Sequence, residues 1–397
     1  MKHSFLKIMG GRLVAVCMLC IPFLSHPAYA AGTASPALSA QSAILIDAQT
    51  GQVLYALNPY RLEYPASITK IMTAYLAIAY GWHNRVPVST QAQDQQGSSC
   101  YLRAGQDYPM PAVATAMLMV SGNDAAWAIA QSVSGNEVRF VRLMNQTARR
   151  WHAPGIHFAN PNGLPNPHHV VTAAGMAVIA RHVWANPVFR HTIMTAVSTL
   201  PPDPQPRVYF NQNQLLSRYP GDLGGKIGYT LEADETYVGA ARRGHLELIE
   251  VVLHQTPVNF WTDTSGLFTW GFQHFHVVPV VRSRQNLGTV RIAHQTLALQ
   301  AGQTVQAAAL RGTRPVVRWK ITWRPHVFRQ ALPAHARVGT ARIFVNGTAI
   351  GSTSVDLVRA FVPPATISWH RYGPVFLAVF STGFFLYRRR ISSRRTS

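Results

Sequence analysis

The stretch from Tyr64 to Ala79 limits this chain more than any other, because it writes a helix with no face suited to water and then places a lysine on it. Behind a loop closed by Pro65, the residues Ile68, Ile71, Met72, Tyr75, Leu76 and Ala79 recur at helical spacing. Such a helix lies inside a domain, so the rest of the chain must supply layers around it. An unpaired ammonium there costs several kcal/mol, and desolvation drives the Lys70 amine toward its neutral form. Ser67 stands three residues earlier on the same face, within reach of that amine. A neutral amine beside a serine hydroxyl is a general base beside a nucleophile.

The use of basic residues points to the same position. Of 36 Lys and Arg in 397 residues only five are lysine, and Lys2 and Lys7 lie among the first ten. Arginine keeps its charge at any working pH, so a chain that uses it for general positive charge keeps lysine where a compact or deprotonatable cation is needed. Of the remaining three, Lys70 and Lys226 stand out over Lys320. Against 15 Asp and Glu the basic residues give a formal +21, which suits anionic surfaces and, taken alone, nucleic acid. At 48% hydrophobic and 13% charged, the chain is too apolar for disorder and long enough for two domains.

Both ends speak of location. Lys2, Lys7 and Arg12 precede the apolar run Leu13 to Leu24, and Ala28-Tyr29-Ala30 follows as a cleavage site, so residues 1–30 read as a secretory signal. Its removal leaves a formal +18 and one cysteine, Cys100, a buried apolar residue with no disulfide partner. At the other end, the sixteen residues Tyr372 to Tyr387 are followed by five arginines, and 361–397 reads as a membrane anchor with a basic cytoplasmic tail. As a helix the run covers about 24 Å of a hydrocarbon core of about 30 Å, so a span needs flanking residues, thinning or snorkelling to make up the length, and a shallow interfacial helix is the alternative. Either way the folded part is exported across the cytoplasmic membrane and held at its outer face, which removes nucleic acid as a partner.

Between the ends the composition divides. From Thr264 to Val355 there is no Asp or Glu, and ten Arg and one Lys. Gly288 to Ala293, Val316 to Trp323 and Ala341 to Val345 read as short strands, with Asn346-Gly347 as a turn, which suits a small antiparallel domain. Its basic face fits anionic lipid headgroups or acidic wall polymers. The earlier part opens with a hairpin, Ser42 to Ala48 and Gln52 to Ala56, and later places Ser121-Gly122-Asn123 as a polar loop between the apolar helical runs Met110 to Val120 and Asp124 to Val133. Asp222 to Thr230 is an extended segment carrying Lys226, with Gly228 two residues on, where a substrate backbone can lie close to the strand edge.

Ser67-x-x-Lys70, then Ser121-x-Asn123, then Lys226-x-Gly228 is an order similar to that of the penicillin-recognising serine acyl-transferases. The chain resembles the D-alanyl-D-alanine carboxypeptidases, the low-molecular-mass penicillin-binding proteins of peptidase S11 type. The likeness runs over most of residues 40–275 and includes Phe158 to Leu164 and Asn211 to Leu216. It implies an α/β (α+β) penicillin-binding/β-lactamase-like catalytic domain over 31–275, with helices on a five-stranded antiparallel sheet. A small all-β domain over 276–360 and the membrane anchor would follow.

The resemblance also implies roles. Ser67 attacks the carbonyl of the penultimate D-alanine of a peptidoglycan pentapeptide, Lys70 takes its proton, and Ser121 relays a proton to the leaving D-alanine. Lys226 holds the terminal carboxylate and helps keep Lys70 neutral, and Asn123 orients the acyl side. Backbone N–H groups of Ser67 and Tyr229 form the oxyanion hole, and Gly228 and Thr230 belong to the substrate-binding strand. β-Lactams would acylate Ser67, with no cofactor and no metal implied. A class A β-lactamase is disfavoured because no Asp or Glu occurs from Val138 to Pro202, and the histidines lack zinc-protease spacing.

Two departures from the family pattern stand out. Ile227 replaces the usual Thr or Ser, and loss of one hydrogen bond to a carboxylate is worth about 1.5 to 3 kcal/mol, with Thr230 as a substitute donor. Thr172-Ala-Ala-Gly175 replaces a segment with an acidic residue, which touches helix capping or packing rather than chemistry. A D,D-endopeptidase, or a catalytically impaired wall-binding protein, are the other readings.

Overall fold

The expected hairpin forms from strands Ala40–Asp47 and Val53–Leu57 in the computed structural model, which describes residues 36–201 and 207–363. Asp47 makes the turn: its Oδ1 accepts from the Thr50 amide at 2.6 Å and the Thr50 hydroxyl at 2.7 Å, replacing the strand's next ladder bonds. The hairpin is one side of a five-stranded antiparallel sheet. Its order runs Val53–Leu57, Ala40–Asp47, Leu246–Gln255, Asp234–Arg243 and, at the far edge, Asp222–Thr230.

Side chains alternate across a strand, so the sheet has two apolar faces and a core on each. On one face Ile44, Ile46, Val238 and Val251 pack beneath the helices Lys70–Gly81, Met110–Val120, Asn123–Ser134 and Ala173–Trp184. The first of these is buried on nearly every side, as its composition demands. On the other face Leu45, Tyr237, Leu248 and Val252 pack against the helix Phe260–His274. The missing acidic residue near Thr172 leaves no gap in capping. Thr172 Oγ1 accepts from Gly175 N at 3.0 Å and donates to the Pro154 carbonyl at 2.6 Å, so the helix Ala173–Trp184 starts on a threonine cap.

After Phe260–His274 the chain turns wholly to strands. Phe275–Val281 and Val305–Leu310 pair as a ribbon that carries Phe275 and Val277 on the second core and Val280 and Val281 on a third. A second five-stranded antiparallel sheet follows, in the order Asn286–Ile292, Gln295–Ala301, Thr348–Leu357, Arg337–Val345 and Val317–Trp323. Sequence patterning finds three of these strands. It misses Gln295–Ala301 and Thr348–Leu357 because small and polar residues blur their alternation, and pairing with better-marked neighbours makes them strands. The secretory signal, 1–30, and all but the first three residues of the C-terminal anchor, 361–397, lie outside the described residues; of those three, Phe361 is buried in the third core and bridges Leu332, so it belongs to the second sheet's domain. Among the described residues no helix is long and apolar enough to cross a membrane.

One buried group strains this arrangement. Glu250 lies opposite Leu45 and Gly239 in the sheet interior and is fully buried, and among the described residues neither carboxyl oxygen finds a hydrogen-bond donor. Burial, aided by Asp222, pushes its carboxyl well above the usual range, so the folded state holds it neutral. An unfolded chain ionises it freely above about pH 4.3, so stability falls as pH rises from there through the raised folded value. Glu250→Gln removes that linkage. The variant is expected to melt several degrees higher near neutral pH, with the gain shrinking toward pH 4, as a melting series against pH will show. A gain that stays constant with pH would mean that Glu250 is ionised in the fold.

Candidate active site

The site begins where the chain enters the buried helix. Ala66–Thr69 is a turn of 3-10 helix, Ala66 has a left-handed φ of 47°, and Lys70–Gly81 continues as α-helix. Two glycines let other backbones press on this turn. A Cβ on Gly163 would stand 1.9 Å from the Ala66 carbonyl oxygen, and one on Gly228 would stand 2.6 Å from Ser67 N. Thr236 adds a clamp, its hydroxyl 2.9 Å from the Pro65 carbonyl and 3.1 Å from that of Gly228. Beneath the turn Thr69 Oγ1 donates to the Ala66 carbonyl at 2.8 Å and meets His169 Nε2 at 3.0 Å. Ala159 N donates to Nδ1 of the same ring at 3.3 Å, which assigns the proton to Nε2, and burial lowers the imidazole to about 3. His169 is therefore a neutral brace for the strained turn.

Lys70 is fully buried, and its amine has three neighbours. Nζ lies 2.9 Å from Ser67 Oγ, 2.7 Å from Asn123 Oδ1 and 2.6 Å from the carbonyl oxygen of Asn162. Burial holds its pKa well below the ordinary lysine value and the Lys226 ammonium lowers it further, while Cys100 and Asp124 oppose this. A neutral amine has two N–H bonds and one lone pair. Asn123 and Asn162 offer only acceptors and take both hydrogens, so the lone pair is left for the serine hydroxyl. The local helix puts Ser67 and Lys70 together, but the two carbonyls that orient the amine come from elsewhere.

Each of those carbonyls is itself held. Asn123 Nδ2 donates to the Gln96 carbonyl at 2.6 Å, which fixes the amide so that Oδ1 faces Lys70. Next to it the Asp124 carboxylate accepts from Ser99 Oγ, Cys100 N, Leu102 N and Ala125 N at 2.7 to 2.9 Å, pinning residues 99–102 against the start of the helix. Asn162 belongs to a loop closed by Asn160, whose Oδ1 accepts from Gly163 N at 2.7 Å, and Thr73 reaches up from the helix to the Pro161 carbonyl at 2.6 Å. Ser121 caps the helix Met110–Val120 in a left-handed conformation, φ 64°, and is buried two residues before Asn123. Sequence reading gives no role to Asp124, Asn162, Thr73 or His169, although Asn162 lies in the family-like segment Phe158 to Leu164 and Asp124 is an acid in a helix's first turn.

The edge strand supplies the other wall. Lys226 is buried, its Nζ donating to the Ile227 carbonyl at 2.7 Å, and desolvation brings it down to about 7. Ile227 faces the other way: it stands opposite Tyr237 and packs on the second core. Tyr229 exposes its ring, and Thr230 Oγ1 accepts from Ala233 N at 3.1 Å, closing the turn to the next strand. Because Asp222–Thr230 is the sheet's last strand, its outer edge is where an added extended chain can pair.

A family model described as D-alanyl-D-alanine carboxypeptidase matches residues 29–256. The D-alanyl-D-alanine carboxypeptidase DacB2 of Mycobacterium tuberculosis is 35% identical over 240 residues, 59% of this chain and 82% of that protein. The crystal structure of a D-alanyl-D-alanine carboxypeptidase from the same organism superposes with a TM-score of 0.59 at 32% identity, covering 62% of this chain and 95% of that one. Penicillin binding protein 5 from Haemophilus influenzae shares the fold over 83% of this chain and 99% of its own, with a TM-score of 0.68 at 24% identity, so the likeness of fold reaches past the first sheet into the second. A turn that seats a serine on a buried lysine, inside a match covering more than half of the chain, has one consistent reading: the protein belongs to the D-alanyl-D-alanine carboxypeptidase family.

Proposed function

We propose that this protein is a serine-type D-Ala-D-Ala carboxypeptidase that removes the terminal D-alanine of peptidoglycan stem peptides through an acyl-enzyme on Ser67. The observation that carries the reading is the Lys70 amine, with both its hydrogens committed to Asn123 and Asn162 and its third direction on the Ser67 hydroxyl. Ser67 Oγ adds to the carbonyl carbon of the penultimate D-alanine as its proton passes to Nζ. The ammonium so formed returns a proton, through Ser121, to the leaving nitrogen, and the C–N bond breaks. Water then adds to the ester with Lys70 again as base, and Ser67 leaves with its proton. Backbone N–H groups of Ser67 and Tyr229 hold the oxyanion, and the strand Asp222–Thr230, with Gly228 leaving room, receives the peptide.

Lys226 binds the substrate's terminal carboxylate, which supplies a counter-ion at its buried position, while its charge keeps Lys70 neutral. β-Lactams enter by the same route and stop at the acyl stage. A fluorescent penicillin is expected to label the protein with one equivalent, and Ser67→Ala to abolish both labelling and D-alanine release from a pentapeptide. Full turnover in Ser67→Ala would reject the assignment.

We further propose that the enzyme works outside the cytoplasmic membrane, exported by residues 1–30 and held there by 361–397. Deleting 364–397 is expected to move the protein from the membrane pellet to the soluble extracytoplasmic fraction, with penicillin labelling retained. Retention in the pellet would place the attachment elsewhere.

A further inference from the structure

The second sheet turns a row of cations outward. Lys320 on Val317–Trp323 stands directly opposite Arg342 on Arg337–Val345, and both are exposed. Like charges facing each other across a ladder repel, so a sheet gains nothing by itself from keeping them paired. The row does not face open solvent alone. Arg342, with Thr322, Thr340 and Ser352, lines one side of a cavity of about 550 Å³ whose other side is Thr50 and Arg181, from the hairpin and the helix Ala173–Trp184 beside the first sheet. Among the described residues, no acidic side chain lines it.

Arg181 also belongs to a second cavity of about 400 Å³, with Arg190 and Arg242. Glu247 is its one carboxylate, and both of those arginines already bridge to it. Arg181 itself is held in place, donating to the carbonyls of Ala48 at 3.1 Å and Gln49 at 2.7 Å. The result is two adjoining concave sites that share a fixed guanidinium and carry more cations than anions.

We infer that this cleft binds a flexible polyanion carrying phosphate groups, with successive anionic groups lodged in the two cavities. Guanidinium forks and the hydroxyls of Thr322, Thr340 and Ser352 are the donor set that tetrahedral oxyanions take up. Two cavities in a row suit a polymer better than a single ion. The concave lining between two sheets admits a chain and excludes the flat surface of a bilayer. Binding here is independent of the chemistry at Ser67 and does not rest on the assigned reaction.

The test uses the full chain in detergent with fluorescently tagged inorganic polyphosphate, and with poly-L-glutamate, inorganic phosphate and phosphatidylglycerol vesicles as the other arms. Polyphosphate is expected to bind and to weaken steeply with salt. Arg342→Glu is expected to lower its affinity at least tenfold, and Lys320→Gln severalfold. Arg291→Glu makes the same change of net charge as Arg342→Glu, on the opposite edge strand of the same sheet, and is expected to leave affinity within about twofold. An unchanged thermal melt and far-UV circular dichroism spectrum show that each variant is folded.

An equal loss in Arg291→Glu would overturn the site in favour of general charge. No binding of polyphosphate would overturn the proposal, as would binding confined to vesicles. Equal affinity for poly-L-glutamate would overturn the choice of phosphate, and full competition by inorganic phosphate alone at matched phosphate concentration would overturn the polymer.

Discussion

Lys70→Ala is expected to lower the second-order rate of Ser67 acylation by roughly a hundredfold to ten-thousandfold, the usual contribution of a positioned general base. The more telling variant is Lys70→Arg. It supplies a fixed positive charge on a side chain one atom longer and can still donate to Asn123 and Asn162, but a guanidinium has no basic lone pair at any working pH. If the amine serves only as a cation that polarises the serine, arginine should restore much of the rate. If it serves as a base, as the two committed carbonyls imply, Lys70→Arg should be as slow as Lys70→Ala. Stopped-flow acylation by one penicillin, with thermal melting to verify folding, separates the two cases. A Lys70→Arg enzyme within tenfold of the original would overturn the lone-pair mechanism.

The second large effect is expected at Asn123. Its Oδ1 lies 2.7 Å from the lysine nitrogen and carries no charge. Asn123→Asp keeps the shape and adds a carboxylate at that distance, which favours the ammonium and raises the Lys70 pKa. Each unit of rise through the assay pH removes the neutral amine tenfold. Acylation at neutral pH is therefore expected to fall by about tenfold or more, and to recover with rising pH as the amine is released. The companion Asn123→Ala loses an acceptor but adds no charge, so its rate should fall without gaining that pH slope. Equal pH profiles in the two variants would mean that Asn123 acts through position alone and that the Lys70 proton is not what limits the reaction.

These variants also mark how far sequence reasoning reaches. The pair Ser67 and Lys70 is legible because one turn of helix fixes their spacing, and the scarcity of lysine draws attention to Lys70 and Lys226. The buried helix, the hairpin and the strongly basic second sheet are legible because periodicity and composition are properties of contiguous residues. Ile227 shows what a linear motif leaves out. As a letter in a tripeptide it is a missing hydroxyl, and in the sheet it also pairs opposite Tyr237 and contributes to the second core.

What the sequence determines by itself is the pairing of Ser67 with Lys70, the order of the motifs and the alternation of layers, all set by local geometry. What only the tertiary structure decides is which way the amine points. The Asn162 carbonyl that takes one of its hydrogens is 92 residues away, and every residue carries a carbonyl, so nothing in the letters marks this one. The same holds for the neutral brace at His169, the stranded carboxyl of Glu250 and the arginine cleft. Each depends on distant segments meeting in space, and burial and charge acquire their meaning only once the chain has closed around them.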